Sequence, residues 1–162
     1  MPRYCLDSDV FIQAKNGPYG MDIVPAFWDW LDLQFNVGII YSSTMVYGEL
    51  VAGGDELAQW ARRRINSGFF EQPSVQVQQY FQGIADFTRT RYVQHQAERF
   101  LSSADPWVVA HAMNDHSIVI THETLAPTNS QKIKIPNICV NFRVDYKGPY
   151  HMLRALGARF IL

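Results

Sequence analysis

The sequence of 162 residues predicts an α/β fold in which a mostly parallel central sheet is flanked by helices. Three short apolar runs are typical of buried strands, namely Tyr4–Leu6, Val37–Tyr41 and Ser117–Thr121. Segments with helical spacing of apolar residues separate these runs, and this alternation favours parallel strands covered on both faces. The length is typical of one domain, so we expect a single domain over residues 1–162.

Capping residues, prolines and glycines set the bounds of the other elements. Helices are expected over residues 8–15, 25–33, 55–66, 74–100 and 150–157, and further helices are expected to start at Ser42-Ser43-Thr44, Asp105-Pro106 and Ile135-Pro136-Asn137. Ser8 or Asp9 is expected to cap the first of them. The long segment 74–100 predicts a break near Gly83 or Thr88–Thr90. Residues 143–146 are the expected last edge strand.

The bulk composition is that of a globular protein, with 48% hydrophobic and 14% aromatic residues. The net charge of −1 creates no overall field that attracts nucleic acid, so phosphate binding would depend on local basic groups. These groups are Arg62-Arg63-Arg64, Arg89 with Arg91, and Lys132 with Lys134. Cys5 and Cys139 are expected to be reduced and packed. Without a recognisable signal peptide or membrane span, the sequence predicts a cytoplasmic protein.

Four isolated acids are the features of the sequence that carry chemistry. They are Asp7, Glu49, Asp105 and Glu123, and Asp7 and Glu123 each follow an apolar strand. Carboxylates gathered from distant segments repel one another, and this repulsion raises their pKa values unless a cation neutralises them. Hard oxygen ligands suit Mg²⁺ or Mn²⁺.

Each acid also has a simpler interpretation. Asp7 or Asp9 could cap the first helix, although one cap needs only one acid. Glu49 borders the helix stripe formed by Val46 and Leu50, and an acid there needs a partner or a metal unless it tilts towards solvent. Asp105 before proline is an ordinary helix cap, and capping leaves one carboxylate oxygen free.

The order of the four acids resembles the layout of PIN-domain nucleases. The resemblance covers most of the chain, and it is carried by residues 6–12, 46–50, 104–112 and 119–123. In particular, the chain resembles VapC-type ribonuclease toxins of bacterial toxin–antitoxin pairs. The resemblance implies a three-layer PIN-like fold and a Mg²⁺- or Mn²⁺-dependent endoribonuclease that hydrolyses RNA phosphodiester bonds.

By this resemblance Asp7, Glu49, Asp105 and Glu123 are the catalytic, metal-binding acids, and Ser8 and Asp9 lie at the edge of the site. The metal ions would activate a water molecule, and Asp7 is the first candidate to orient or deprotonate it. The resemblance further implies an RNA substrate and a cognate antitoxin protein, with no membrane partner, and it leaves a homodimer open.

The sequence departs from the family pattern at two positions. Glu123 stands where the family usually has Asp, and Leu125 stands where a further acid is common. Both departures lie on one side of the expected site. They leave the number of bound ions open between one and two.

Two other functions compete with the nuclease. Asp7-Ser8-Asp9 also matches the Asp-x-Asp opening of haloacid-dehalogenase-type phosphotransferases, but the chain has no later Asp-Asp pair. A non-catalytic protein-interaction domain would use the acids as caps and surface charge. Zinc is not expected, because the five histidines show no paired metal spacing with cysteine.

Overall fold

The computed structural model describes residues 2–162. The strands are β1 (Tyr4–Leu6), β2 (Ile40–Ser43), β3 (Phe70–Glu71), β4 (Ile118–Ile120) and β5 (Tyr146–Lys147). The helices are α1 (Ser8–Asn16), α2 (Pro25–Asn36), α3 (Thr44–Ala52), α4 (Glu56–Arg62), α5 (Val75–Arg91), α6 (Gln94–Leu101), α7 (Asp105–Asp115), α8 (Ile135–Phe142) and α9 (Pro149–Ala155). Among the described residues, every helix falls short of the length and apolarity that a membrane crossing demands.

The five strands form one sheet in the order β3-β2-β1-β4-β5, and all neighbouring strands are parallel. Tyr4 of β1 lies opposite Ile40 of β2 on one side and Ile118 of β4 on the other. The chain builds the sheet outward from β1 to β3 and then returns to the far side of β1 to add β4 and β5. The order in which the strands are added therefore reverses between β1 and β4. Open α/β sheets bind ligands at such a point, beyond the carboxyl ends of their strands.

Two groups of helices cover the sheet, as the sequence predicts. Helix α7 packs across β1, β2 and β4, and α5, α6 and α8 pack against α7. Helices α2 and α3 pack against β2, and α1 and α4 pack against α3. All residues of β1 and β2 are buried, which is the burial pattern of strands covered on both faces.

Aromatic rings fill the core between α1, α4 and β3. Phe11 of α1 lies 5.7 Å from Trp60 of α4 and 6.3 Å from Phe70 of β3, measured between ring centroids. Cys5 and Cys139 are both buried free thiols, as the sequence predicts. Burial raises the pKa of each thiol, and that of Cys139 is raised to about 12, so both stay protonated.

The structure corrects one predicted strand, β2, and adds a strand, β3, that was not predicted. The predicted strand Val37–Tyr41 is displaced to Ile40–Ser43. Gly38 adopts a φ of +79° and its amide bonds back to Phe35, so these residues close α2 instead of starting a strand. Strand β3 has no counterpart among the predictions, because its two residues are defined by parallel pairing with β2.

The bounds of the later elements differ in smaller ways. The predicted helix 55–66 covers Glu56–Arg62 only. The break in the segment 74–100 falls at residues 92–93, after α5, and Gly83 lies within that helix. The last strand is Tyr146–Lys147 because Arg143, with a φ of 57°, still belongs to the end of α8. The terminal helix ends at Ala155.

Candidate functional site

The carboxyl ends of β1 and β4 are joined through one buried acid. Asp7 follows β1 directly, and its side chain is only 3% exposed. Its amide donates to the Ile120 carbonyl at 3.0 Å. Its Oδ2 accepts a hydrogen bond of 2.9 Å from the Thr121 hydroxyl, which follows β4. Asp7 therefore lies between β1 and β4, where the order in which the strands are added reverses.

Asp7 is also the residue that caps α1, so the structure selects Asp7 among the three candidates Asp7, Ser8 and Asp9. Its backbone is extended, and its Oδ1 accepts a hydrogen bond of 2.7 Å from the Ser8 amide. The two oxygens of this carboxylate thus serve different partners. Oδ1 fixes the start of α1, and Oδ2 connects to β4.

Asp9 belongs to the same cluster. Its carboxylate accepts hydrogen bonds from the His122 amide, at 3.2 and 3.1 Å, and from the Thr121 hydroxyl at 3.2 Å. These bonds fasten the first turn of α1 to the loop that follows β4. Asp7 and Asp9 consequently share Thr121 as a donor.

Glu49 joins the cluster from α3. It is exposed, whereas Val46 and Leu50 on the same helix are buried, so it borders the apolar stripe on the solvent side. Its Oε1 accepts hydrogen bonds of 3.2 Å from the Ser8 hydroxyl and of 3.2 Å from the Ala104 amide. Glu49 therefore bridges the starts of α1 and α7.

Asp105 opens α7 but does not cap it, so the expectation that it is an ordinary cap is wrong. The capping position is Ala104, whose backbone is already helical, and no side chain caps this helix. The Asp105 amide donates to the Ser103 hydroxyl at 3.3 Å. Its carboxylate accepts no hydrogen bond from any residue between 2 and 162. This acid is thus free of any structural partner.

Glu123 lies in the loop after β4. Its Oε2 accepts a hydrogen bond of 2.8 Å from the Ile135 amide, and its own amide donates to the Thr121 hydroxyl at 3.1 Å. Leu125, which stands at the second position where the sequence departs from the family pattern, is 54% exposed. Glu123 therefore has a donor of its own, and Leu125 adds no charge beside it.

The acids raise one another's pKa values. Burial raises the pKa of Asp7 well above its ordinary value, and the charges of Asp9 and Asp105 raise it further against the lowering effect of the Thr121 hydroxyl. Burial and the charges of Glu123 and Glu49 raise the pKa of Asp105 to about 7. Burial also raises the pKa of Glu123, although the Ile135 amide and Lys134 oppose the shift. The positive charge of Lys134 therefore does not offset the effects that raise the pKa values of Asp105 and Glu123.

Three basic residues lie beside Asp105. A cavity of about 230 Å³ is lined by Arg99, Lys132 and Lys134 together with Asp105. We call these three residues the basic cleft. No salt bridge found within residues 2–162 involves Asp7, Asp9, Glu49, Asp105 or Glu123. The cations of the cleft therefore form no salt bridge with the acids.

Three of the other arginines that the sequence singles out are engaged elsewhere. Arg64 of the Arg62-Arg63-Arg64 run binds the Asp32 carboxylate of α2 through two hydrogen bonds, of 2.7 and 2.6 Å. Arg89 donates to Glu98 at 3.1 Å. Arg91 donates to the Thr128 carbonyl at 3.2 Å. Among these groups only Lys132 and Lys134 adjoin the acids.

The donor set suits a hard divalent cation in its chemistry, because it consists of carboxylates and hydroxyls without thiols. In the part of the chain from Pro2 to Leu162, no three His, Cys, Asp or Glu side chains already stand in a metal-binding arrangement. Two of the acids are held by backbone donors, Asp9 by the His122 amide and Glu123 by the Ile135 amide. Asp105 accepts no such bond, and burial together with the charges of neighbouring acids raises its pKa.

Thr121 and Arg99 also belong to the site, and neither was predicted from the sequence. Thr121 donates to both Asp7 and Asp9, and Arg99 comes from α6 to line the basic cleft. The position of Thr121, directly after a strand and two residues before Glu123, is a signal that could have identified it. No local pattern marks Arg99, because only the packing of α6 against α7 brings it near Asp105.

The chain is similar in structure to two solved complexes. A chain of VapBC2 from Rickettsia felis, bound to a DNA fragment from the promoter, is 14% identical with a TM-score of 0.54, and the match covers 90% of this chain and 97% of that chain. A chain of FitAB bound to the IR36 DNA fragment is 17% identical with a TM-score of 0.54, and the match covers 91% and 96%. At these identities the likeness concerns the fold, and the three-layer PIN-like α/β fold predicted from the sequence is confirmed.

In sequence, no curated protein matches this chain. A family model does match it over residues 4–160, which include every strand and every acid of the site. The family is described as a domain of unknown function, DUF4411. Because the match spans nearly the whole chain, the protein belongs to the DUF4411 family.

Proposed function

We propose that the chain is a single PIN-like domain over residues 1–162 that acts as a metal-dependent ribonuclease. The observation that carries the proposal is the set of carboxylates at the carboxyl ends of β1 and β4, which no cation neutralises within residues 2–162. Retaining mutually repelling acids destabilises a fold. A function that uses their charge accounts for their presence.

The residues divide the work of phosphodiester hydrolysis. Asp7, Glu49, Asp105 and Glu123 would hold one or two Mg²⁺ or Mn²⁺ ions. When bound, such an ion supplies an activated water and stabilises charge on the scissile phosphate. Asp7 orients or deprotonates the attacking water, because it is the most buried of the acids and Thr121 fixes one of its oxygens.

The basic cleft would hold the RNA backbone beside the acids. Lys134 is close enough to lower the pKa values of Asp105 and Glu123, so it lies at the border between the cleft and the acids. A phosphate bound by Arg99, Lys132 and Lys134 would place the next phosphate of the strand over the acids. Single-stranded RNA suits this arrangement, since its backbone can bend into a cleft.

RNA cleavage by purified protein tests the proposal. Asp7→Asn keeps the shape of the side chain and removes its charge, and we expect it to lower the cleavage rate by roughly 10²–10⁴-fold. Excess EDTA should abolish cleavage by the wild type. The matched control is Asp29→Asn, which makes the same chemical change at an exposed position of α2 and should cleave like the wild type. Full activity of Asp7→Asn, or full activity in EDTA, would contradict the mechanism.

An antitoxin protein is the proposed partner, because the structurally similar chains come from the VapBC2 and FitAB complexes. A basic side chain, above all arginine, would complement the bare acids. We place both proteins in the cytoplasm. Expression of the chain alone should arrest bacterial growth, and Glu49→Gln should relieve the arrest because it removes one of the acids.

The control for the growth experiment is Glu56→Gln, at an exposed position of α4 outside the site. It should arrest growth as the wild type does when both are expressed at equal levels. If the wild type and Glu49→Gln are equally harmless at matched levels, the protein is not a toxin. The cleavage assay would then decide separately whether it is a nuclease.

A further inference from the structure

A second cavity lies near the acids and shares no lining residue with the cavity of the basic cleft. It has a volume of about 320 Å³ and lies between α1, the loop 17–19, the start of α9 and His122. Val10, Ala14, Tyr19, Phe27 and Tyr150 supply most of its apolar lining. This volume is at the lower end of the roughly 300–1,000 Å³ typical of ligand pockets, so it suits one planar ring system. We call it the aromatic pocket.

The wall of the aromatic pocket is held rigidly by its surroundings. The Tyr19 ring stacks on Phe27 at a centroid distance of 4.4 Å and an interplanar angle of 6°. Phe160 packs edge-on against Tyr19 at 5.6 Å. The Trp28 indole N–H donates to the Tyr19 carbonyl at 2.8 Å, which fixes the backbone as well. A ring system entering the pocket therefore meets an aromatic surface that is already in place.

The rim of the pocket offers hydrogen bonds that are not yet used. Gln13 and Asn16 line the cavity at exposed positions of α1. Their side-chain amides form no hydrogen bond with another residue in the range 2–162. Tyr150, on the other side, is 47% exposed. Amide groups beside an aromatic surface are the combination with which proteins read unpaired nucleobases.

The aromatic pocket and the acids are directly connected through two residues. Val10 lines the pocket and follows Asp9 in α1. His122 lines the pocket as well, and its amide donates to the Asp9 carboxylate at 3.1 Å. A ligand that contacts Val10 or His122 therefore lies next to residues that are attached directly to Asp9. At the other cavity, Asp105 lies among the residues of the basic cleft.

We infer that the aromatic pocket binds an unpaired nucleobase of the RNA substrate, from a nucleotide next to the scissile phosphate. This inference rests on the proposed ribonuclease function and names a base subsite within it. The base stacks between Tyr19 and Tyr150, and Gln13 and Asn16 contact its polar edge. The strand then crosses the acids, and its following phosphate enters the basic cleft. Cleavage is consequently restricted to single-stranded RNA with a base that fits.

Nucleotide binding can be measured without any cleavage. We would titrate ¹⁵N-labelled protein in EDTA with each of the four nucleoside 5′-monophosphates and follow the backbone amides by NMR. At least one nucleotide should shift the amides of Gly17, Tyr19, His122 and Tyr150. Ribose 5-phosphate, which has the same phosphate but no base, should leave them in place.

Variants of the exposed rim identify the contacts. Tyr150→Ala should weaken nucleotide binding by roughly fivefold to a hundredfold, as expected for the loss of one base–aromatic stack, and Tyr150→Phe should restore it. Gln13→Ala should change the preference among the four bases. The matched control is His151→Ala, because His151 is the next residue of α9, is exposed and does not line the pocket. This control should bind like the wild type.

The outcomes separate this inference from the proposed function. If the protein cleaves RNA but no nucleotide shifts the pocket amides, the base subsite is wrong and the nuclease remains. Equal binding by Tyr150→Ala and the wild type would likewise overturn the subsite. If nucleotides bind in the pocket but no RNA is cleaved with Mg²⁺ or Mn²⁺, the ribonuclease function is wrong and the nucleobase site remains.

Discussion

Acidic side chains have opposite surroundings at the two ends of strand β1, which we call the amino edge and the carboxyl edge. At the amino edge, Arg3 precedes β1 and donates to Glu71, the last residue of β3, at 2.9 Å and to Asp115, the last residue of α7, at 2.7 Å. Its guanidinium also lies 4.2 Å from the centre of the Tyr41 ring. At the carboxyl edge, Asp7 and Asp105 lie together without any arginine or lysine within salt-bridge distance among residues 2–162.

The contacts of Arg3 show that an arginine of this chain can neutralise acids that distant segments bring close together. A single arginine suffices at the amino edge, where it satisfies acids from two distant segments. The acids at the carboxyl edge retain their repulsion, and burial together with this repulsion raises the pKa of Asp105 to about 7. We therefore interpret the amino edge as structural, and the carboxyl edge as the site of function.

Glu123 sharpens the comparison, because it is the acid of the carboxyl edge with the most favourable surroundings. The Ile135 amide donates to it, and Lys134 lowers its pKa. We expect Glu123→Gln to slow RNA cleavage by roughly tenfold, a smaller loss than for Asp7→Asn, because its carboxylate is already tied to the protein. High Mn²⁺ should restore much of the rate.

Steady-state rates over a range of Mn²⁺ concentrations measure this difference. A Glu123→Gln variant that stays as inactive as Asp7→Asn at every concentration would contradict it. Such a result would mean that Glu123 is as important to catalysis as the buried acid.

Charge removal should change stability in opposite directions at the two edges. Arg3→Met leaves Glu71 and Asp115 together without their cation, and we expect it to lower the free energy of unfolding by about 1–2 kcal/mol. Asp105→Asn removes a repelled charge whose carboxylate accepts no hydrogen bond, so it should raise that free energy by about 1–2 kcal/mol in EDTA at pH 8. Urea unfolding of both variants measures these changes.

The pH dependence of unfolding provides a check on the same effect. The pKa of Asp105 is about 7 in the folded protein and near its ordinary value in the unfolded chain. The folded protein therefore binds the extra proton between these values, and the metal-free protein should lose stability as the pH rises from about 4 to about 7. Asp105→Asn should flatten this decline. An equal decline in both proteins would exclude Asp105 as its source.

Local signals in the sequence were sufficient for much of the fold. Strand β1 was predicted with its observed bounds, and the start of α3 follows from Ser43, as expected. These features depend on neighbouring residues only. Strand β3 was missed because its Phe70–Glu71 pair is a strand only by pairing with β2.

The same distinction between local and distant contacts applies to the site. The sequence placed Asp7 and Glu123 after strands, which is where the structure has them. It left the cap of α1 open among Asp7, Ser8 and Asp9, and it placed a cap at Asp105 wrongly, because several neighbouring residues have similar capping propensity. The basic cleft depends on α6, α7 and the loop before α8 meeting in space, and no pattern within one segment predicts that.

Calorimetric titration of Mn²⁺ tests most directly whether the bare acids of the carboxyl edge bind a metal. We expect the wild type to bind one ion firmly and a second weakly or not at all, since Leu125 adds no second anchor beside Glu123. Asp7→Asn should lose the firm site, whereas Asp115→Asn, at the amino edge, should keep it. The absence of stoichiometric binding to the wild type, or equal binding by Asp7→Asn, would contradict the account.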